Sequence, residues 1–300
     1  MGGVPTMEEK NKQSSSQGSF GEIGKILLLQ ILVLLAANLL YQQVAKVQIE
    51  LSLSARPPIS EKNAIKLKDL QNGNSPENKK IAWNEPASAE KALRDYTDFV
   101  VTKRPWLLVV DRIVWAACFL IPAYMILRRI GKADCTDFSE SFDGGAFGIG
   151  ISVGFATFCF VNVAGGLIFF FIGKPQSNPL EVALTQNLQG NWLLLLWASF
   201  GVSLGAGIVE ETFFRGFLLK QFVGKGHEIF GLLFTSLIFG LIHYNPRGSW
   251  VGPILLIFVG FYFGLSYLKT GNIWVPITAH VAYNSSMLVA AFFLGDRVVG

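Results

Sequence analysis

The chain has 300 residues, of which 51% are hydrophobic and only 15% charged, against about 25% charged in an average soluble domain. This deficit, with several long uncharged runs, excludes an ordinary soluble domain and predicts an all-α fold, a polytopic membrane helical bundle. The excess of 25 Lys and Arg over 21 Asp and Glu suits a protein beside anionic lipid, and it is too small and scattered to predict nucleic-acid binding.

Residues 1–25 read as a polar, disordered N-terminal tail containing "KNKQSSSQGS". The uncharged run Ile26–Ala45 is long enough for a first transmembrane helix. A signal peptide would need an unusually long charged leader, and no clear small-residue cleavage site follows, so the run is read as an uncleaved helix. Residues 46–104 form a hydrophilic loop or insertion with Pro57-Pro58 and "QNGNSPEN" as turn material. Within it, Ala87–Val101 is expected to form an amphipathic helix lying on the membrane. Residues 105–190 hold further spans, Trp106–Leu127 and Gly144–Gly173, the first of them interrupted by Asp111 and Arg112. Residues 191–295 supply four more: one opening at Asn191, then Ile229–Pro246, Gly248–Leu268 and Gly271–Gly295. The count is about seven transmembrane helices, which predicts an integral, multi-pass protein of the cell membrane. Trp106, Trp192, Trp250 and Trp274 each open a span, as interfacial anchors do.

Arg128, Arg129 and Lys132 follow the second span and predict a cytoplasmic N-terminus, with which Lys220 and Lys225 agree. Lys103, Arg104 and Arg247 fall on the opposite side. Cys118, Cys135 and Cys159 have no metal or disulfide spacing, and the two in apolar runs, Cys118 and Cys159, read as small buried hydrophobes.

The stretch "GIVEETFFRGF" puts Glu210, Glu211 and Arg215 at the end of a run, Asn191–Val209, that has no charge. Charge in such a place is costly unless paired, hydrated or interfacial. Glu211 and Arg215 are four apart with the acid first, the favourable order for an ion pair along a helix. Glu210 is rotated by about 100° and has no such partner on its own helix, so the pairing leaves one carboxylate free. "FGLIHY" then brings His243 to the end of the next apolar run, and "AHVAYN" puts His280 and Asn284 one turn apart in the last. A charge cluster ending a helix, or histidines hydrogen-bonded in a core, would explain each feature alone. Two histidines, an asparagine and a spare glutamate in three consecutive spans point instead to a site.

Depth agrees for one pair. Glu210 lies fifteen residues before Lys225 and His243 eighteen after it, so both stand roughly 22–27 Å from the intervening turn. His280 lies only nine residues after Gly271, about 13 Å in, and a tilt, an offset turn or an unwound segment must supply the rest. A desolvated glutamate beside an imidazole serves as general base toward water, while histidine and an amide on a facing helix can donate to an oxyanion. No serine or cysteine stands in an elbow or triad context, so covalent hydrolysis is the weaker reading.

"EETFFR" (Glu210–Arg215), "FGLIH" (Phe239–His243) and "HVAYN" (His280–Asn284) resemble the three ordered motifs of the CPBP family, the CAAX-processing and bacteriocin-processing (Abi-type) intramembrane proteases. The likeness covers Asn191–Asn284 and implies that 191–295 is a CPBP catalytic core. It implies an intramembrane glutamic-type endopeptidase without cofactor or metal, acting on a membrane-associated protein or peptide in the lipid bilayer. By position it implies Glu210 and His243 as the groups that activate water, His280 and Asn284 as the oxyanion site, and Glu211 and Arg215 in support. The family includes CAAX-type prenyl-protein processing, peptide maturation, and bacteriocin-immunity or scaffold roles, so the substrate stays open. The rival readings are a zinc-dependent membrane hydrolase with Glu210, His243 and His280 as ligands, though no H-E-x-x-H helix exists, a non-catalytic membrane scaffold or immunity protein, and a proton-coupled transporter, for which no inverted repeat is visible.

Overall fold

The structure is a computed structural model describing residues 20–54, 81–129, 138, 140–173, 179–244 and 249–295. Most of the predicted tail, the turn-rich stretch at 55–80, Lys132, Cys135 and Arg247 lie outside the described residues. Counting Trp192–Val223 as one helix, nine helices and no strand are present among the described residues. They are α1 Phe20–Ser54, α2 Pro86–Lys103, α3 Leu107–Arg129, α4 Gly144–Ile172, α5 Pro179–Leu188, α6 Trp192–Val223, α7 Glu228–Leu241, α8 Val251–Thr270 and α9 Trp274–Leu294. Six of them (α1, α3, α4, α6, α8 and α9) are long and apolar enough to cross a membrane. The protein is an integral, multi-pass membrane protein.

Three boundaries differ from the sequence reading. The first helix runs on past Ala45 to Ser54 and is 35 residues long, about 52 Å at 1.5 Å per residue, so its last turns outreach a hydrocarbon layer of about 30 Å. The fifth predicted span is the 14-residue α7, about 21 Å and too short to cross alone. That shortness matters, because it leaves His243 at a helix end in the bundle instead of beyond it. The third difference is α5, a ten-residue helix that the linker between the third and fourth spans hides. The amphipathic helix predicted at 87–101 forms as α2, but its buried face (Ala92, Thr97, Val100, Val101) is covered by protein. Val100 and Val101 join Leu188 of α5, Leu194 of α6 and Phe292 of α9 in one apolar cluster. Gln48 of α1 donates to the Tyr96 hydroxyl at 2.7 Å, and burial pushes that phenol up to about 12.

The central cluster joins α1, α3, α6, α7, α8 and α9 through aromatic rings. Trp115 stacks on Phe119 at 4.1 Å, and Phe213 meets Phe119 edge-on at 5.4 Å. Without a hydrophobic drive between helices in lipid, close backbone approach carries the assembly. Gly150 and Gly154 of α4 lie on α9: a Cβ on Gly154 would stand 2.3 Å from Ala279 O and 2.7 Å from Ala282 Cβ. Cys118 is buried as expected, whereas Cys159 is exposed on α4, so its apolar run faces outward there.

These contacts set a stability test. Gly154→Ala forces α4 away from the helix that carries His280, and overpacking of this kind typically costs about 1–3 kcal/mol. Gly148→Ala on the same helix meets nothing within 4 Å and serves as the matched control. The expected result is a lower melting temperature in detergent for Gly154→Ala alone.

Candidate active site

The motif helix α6 begins at a capped turn, where Asn191 Oδ1 accepts from Leu194 N at 3.1 Å. It then widens twice into π-type turns, Ser199–Gly205 and Thr212–Leu219, with six ordinary α-helical residues, Ala206–Glu211, between them. Such turns pair N–H with the carbonyl five residues back and leave a carbonyl over. Two side-chain amides from other helices meet carbonyls at these places. Asn284 Nδ2 donates to Val202 O at 2.7 Å and Gln30 Nε2 to Leu218 O at 2.9 Å. Beside the first, Ser203 Oγ donates to Val281 O at 2.9 Å. The two glutamates are the last residues of the narrow stretch, pinned on both sides.

Glu211 and Arg215 form the expected ion pair, Nη1 to Oε2 at 2.8 Å, with neither side chain exposed. The guanidinium also donates to Gly260 O, and the rings of Phe214, Phe239 and Phe263 lie 5.2–6.0 Å from its central carbon. Cation–π contact in a desolvated place is worth about 2 kcal/mol or more, which helps to hold a buried charge. His280 brings Nδ1 to Glu211 Oε1 at 2.7 Å. The carboxylate accepts, so Nδ1 donates and Nε2 is the ring nitrogen left over. The wide turns shorten α6 per residue and so reduce the depth mismatch that the sequence shows for His280.

Glu210 and His243 meet as the hairpin depth predicts, Nε2 standing 4.0 Å from Oε2. His243 Nδ1 is 2.7 Å from Phe239 O. A carbonyl only accepts, so Nδ1 carries the proton and Nε2 faces the glutamate. The expectation that Glu210 is left free is corrected: Arg112 Nη1 donates to its Oε1 at 2.8 Å, from a helix almost a hundred residues earlier. Asn284 is not brought to the acids, its amide being engaged on Val202 O. The proposed zinc triad is not assembled either, since His280 is bonded to Glu211 and not grouped with Glu210 and His243. No group of three or more His, Cys, Asp and Glu able to hold a metal occurs among the described residues.

In the sequence Arg112 and Asp111 stand only as breaks in an apolar run. Their cost in such a run was itself the signal. Tyr41, which donates to Asp111 at 2.9 Å, and Gln30 sit in a span whose polar residues carry no motif.

With this geometry in view, residues 191–286 match the family model described as Rce1-like, type II CAAX prenyl endopeptidase. The C-terminal third resembles Rce1-like membrane endopeptidases. The likeness to the CPBP family that the three motifs carry is thereby shown. Three Bacillus subtilis (strain 168) proteins are similar. YdiL, named as a candidate membrane peptidase, is 25% identical over 177 residues, which cover 59% of this chain and 69% of YdiL. YpbD, an uncharacterized protein, is 35% identical over 79 residues, 26% of this chain and 38% of its own length. YyaK, also uncharacterized, is 32% identical over 141 residues, 45% of each chain. The match thus spans less than half of YpbD and of YyaK. No solved structure matches the chain. Arg112, Asp111, Tyr41 and Gln30 all lie outside the Rce1-like segment, whereas every motif residue lies inside it.

Removing one partner of a buried ion pair costs about 3–5 kcal/mol. Arg215→Met should therefore lower folded yield and melting temperature in detergent, because it takes the arginine cation from the fully buried Glu211 and leaves only His280 beside it. A well-folded Arg215→Met protein of unchanged stability would contradict the pairing.

Proposed function

We propose that this chain is an intramembrane endopeptidase of the Rce1-like, CAAX-protease type, cutting a membrane-associated protein or peptide with a water activated by Glu210. One observation carries the reading: Glu210 Oε2 and His243 Nε2 face each other across 4.0 Å. That gap is too long for a direct hydrogen bond, and it lets both groups reach one water molecule. Glu210 takes a proton as the water oxygen attacks the scissile carbonyl carbon. The C–N bond then breaks as the nitrogen receives that proton, and carboxylic acid and amine leave. His243 is held for the task by Phe239 O, which fixes its proton on Nδ1. His280 can donate an Nε2 hydrogen to the carbonyl oxygen when both of its ring nitrogens carry protons, with the Glu211 carboxylate accepting at Nδ1.

Exposure supports the division of roles. Side-chain exposure is 0% for Glu211 and Arg215, 6% for Glu210 and 34% for His243, so water and substrate approach from the His243 side. The family description supports a CAAX-type prenylated protein as one substrate class.

Asn284 admits two roles. An oxyanion donor would use the amide hydrogen that Val202 O leaves free, whereas the bond to Val202 O favours a seam residue that holds the wide turn. Ser203→Ala removes a hydrogen bond from the same seam and touches no reacting atom. If Asn284 donates to the oxyanion, Asn284→Ala lowers kcat by about 10²–10³ with KM little changed, and Ser203→Ala does not. Matching mild effects from both substitutions would assign Asn284 to the seam.

The decisive comparison is peptide-release mass spectrometry on membranes containing the wild-type chain or Glu210→Gln. Loss of a general base costs about 10²–10⁴ in rate, so peptides released by wild type should vanish while the variant still inserts and melts normally. Near-normal release by Glu210→Gln would sink the mechanism.

A further inference from the structure

We propose that Arg112, held by Asp111 and Tyr41, is the positioning residue that sets the working geometry of Glu210; the inference rests on the reading of Glu210 as the base. Four groups form an unbroken chain across three helices. Tyr41 Oη on α1 donates to Asp111 Oδ1 at 2.9 Å. Asp111 Oδ2 on α3 accepts from Arg112 Nη2 at 2.9 Å, and Arg112 Nη1 donates to Glu210 Oε1 at 2.8 Å on α6.

The arrangement distinguishes the two oxygens of Glu210. Oε1 is tied to a guanidinium, and Oε2 is the one that faces His243. A carboxylate turned about its last bond would present either oxygen to the water, at different distances from the scissile carbon. The planar fork of Arg112, with its other nitrogen anchored on Asp111, removes that freedom. Asp111 in turn is fixed by the Tyr41 hydroxyl, so the first span contributes to the site although it carries no motif. The chain also says why residues 191–286 are an incomplete site by themselves, since Glu210 lacks its cation without α3. Displacement of a reacting group by about 1 Å can cost 10²-fold in rate, which is the scale of effect expected.

The test reads turnover on a synthetic, internally quenched peptide spanning the junction that peptide-release mass spectrometry identifies for the wild-type protein. Arg112→Gln is expected to lower kcat about 10–100-fold with KM within about threefold, while Arg112→Lys, which keeps the charge and loses the fork, recovers part of the loss. Tyr41→Phe removes one oxygen at the far end of the chain and should lower kcat about threefold or more. Trp83→Phe, which removes an exposed contact to Glu50 on the same α1 helix, should leave kcat unchanged. A folded Arg112→Gln protein with wild-type kcat overturns the proposal. Where Arg112→Gln fails to fold, Tyr41→Phe decides, and a kcat equal to that of Trp83→Phe overturns it. Glu210→Gln separates this from the underlying reading. If that variant still turns over, the base assignment falls. If it is dead and Arg112→Gln is fully active, only the positioning role falls. Failure to find any released junction ends both.

Discussion

Two adjacent carboxylates in an apolar bundle impose the constraint on which the rest of the arrangement depends. Neighbouring residues on a helix point about 100° apart, so the contacts of one carboxylate do not extend to the other, and an unpaired buried charge is costly. The chain meets this with two arginines on two helices. Arg215 reaches Glu211 along its own helix, and Arg112 reaches Glu210 from α3. Each pairing fixes a neighbour. The first requires phenyl rings from α6, α7 and α8 around the guanidinium, and the second requires α3 to run beside α6. The aromatic core of Trp115, Phe119 and Phe213 fills the seam that the second pairing brings together.

The wide turns on either side of the glutamate pair belong to the same problem. A regular helix leaves no room to adjust the direction of two side chains independently, whereas a π-type turn rotates the helix after it relative to the helix before it. The freed carbonyls need donors that lipid cannot supply. Gln30 of α1 and Asn284 of α9 donate to carbonyls within these two stretches. A buried glutamine in the first half of the first span, 1% exposed, has an account in these terms that its own local sequence does not offer.

What was legible in the residues divides along lines of locality. The Glu211–Arg215 pair was readable because it depends on helical spacing alone. The meeting of Glu210 with His243 was readable because a tight hairpin makes depth a matter of counting. The helical, membrane-spanning character of the chain followed from long uncharged runs, and their opening tryptophans mark helix starts at Trp192 and Trp274. Contacts between distant segments were not readable. Arg112 lies 98 residues from Glu210 and Tyr41 lies 70 from Asp111, and no periodicity connects them. The reach of α7 differs from the hydropathy for another reason: the apolar run continues past Leu241 while the backbone turns at Ile242 and His243. Cys159 shows the remaining weakness, since an apolar run in lipid does not say which of its faces is inside.

The environments of Glu210 and Glu211 explain how identical neighbours come to different tasks on the proposed reading. Glu211 is sealed, with one oxygen on His280 and the other beside Arg215, so neither atom is available to a reactant. Its fixed charge orients an imidazole and holds an arginine that touches the Gly260 carbonyl at the middle of α8. Glu210 spends only one oxygen on its cation. The other faces a histidine whose far nitrogen is tied to a carbonyl and whose near nitrogen is 4.0 Å away, at the more exposed edge of the cluster. A group that must move a proton needs an unoccupied lone pair, a partner within reach of a shared water and a route for that water. On this reading Glu210 combines the three, whereas Glu211 is fully buried between His280 and Arg215, and this asymmetry comes from the helices packed around α6 rather than from the two residues themselves.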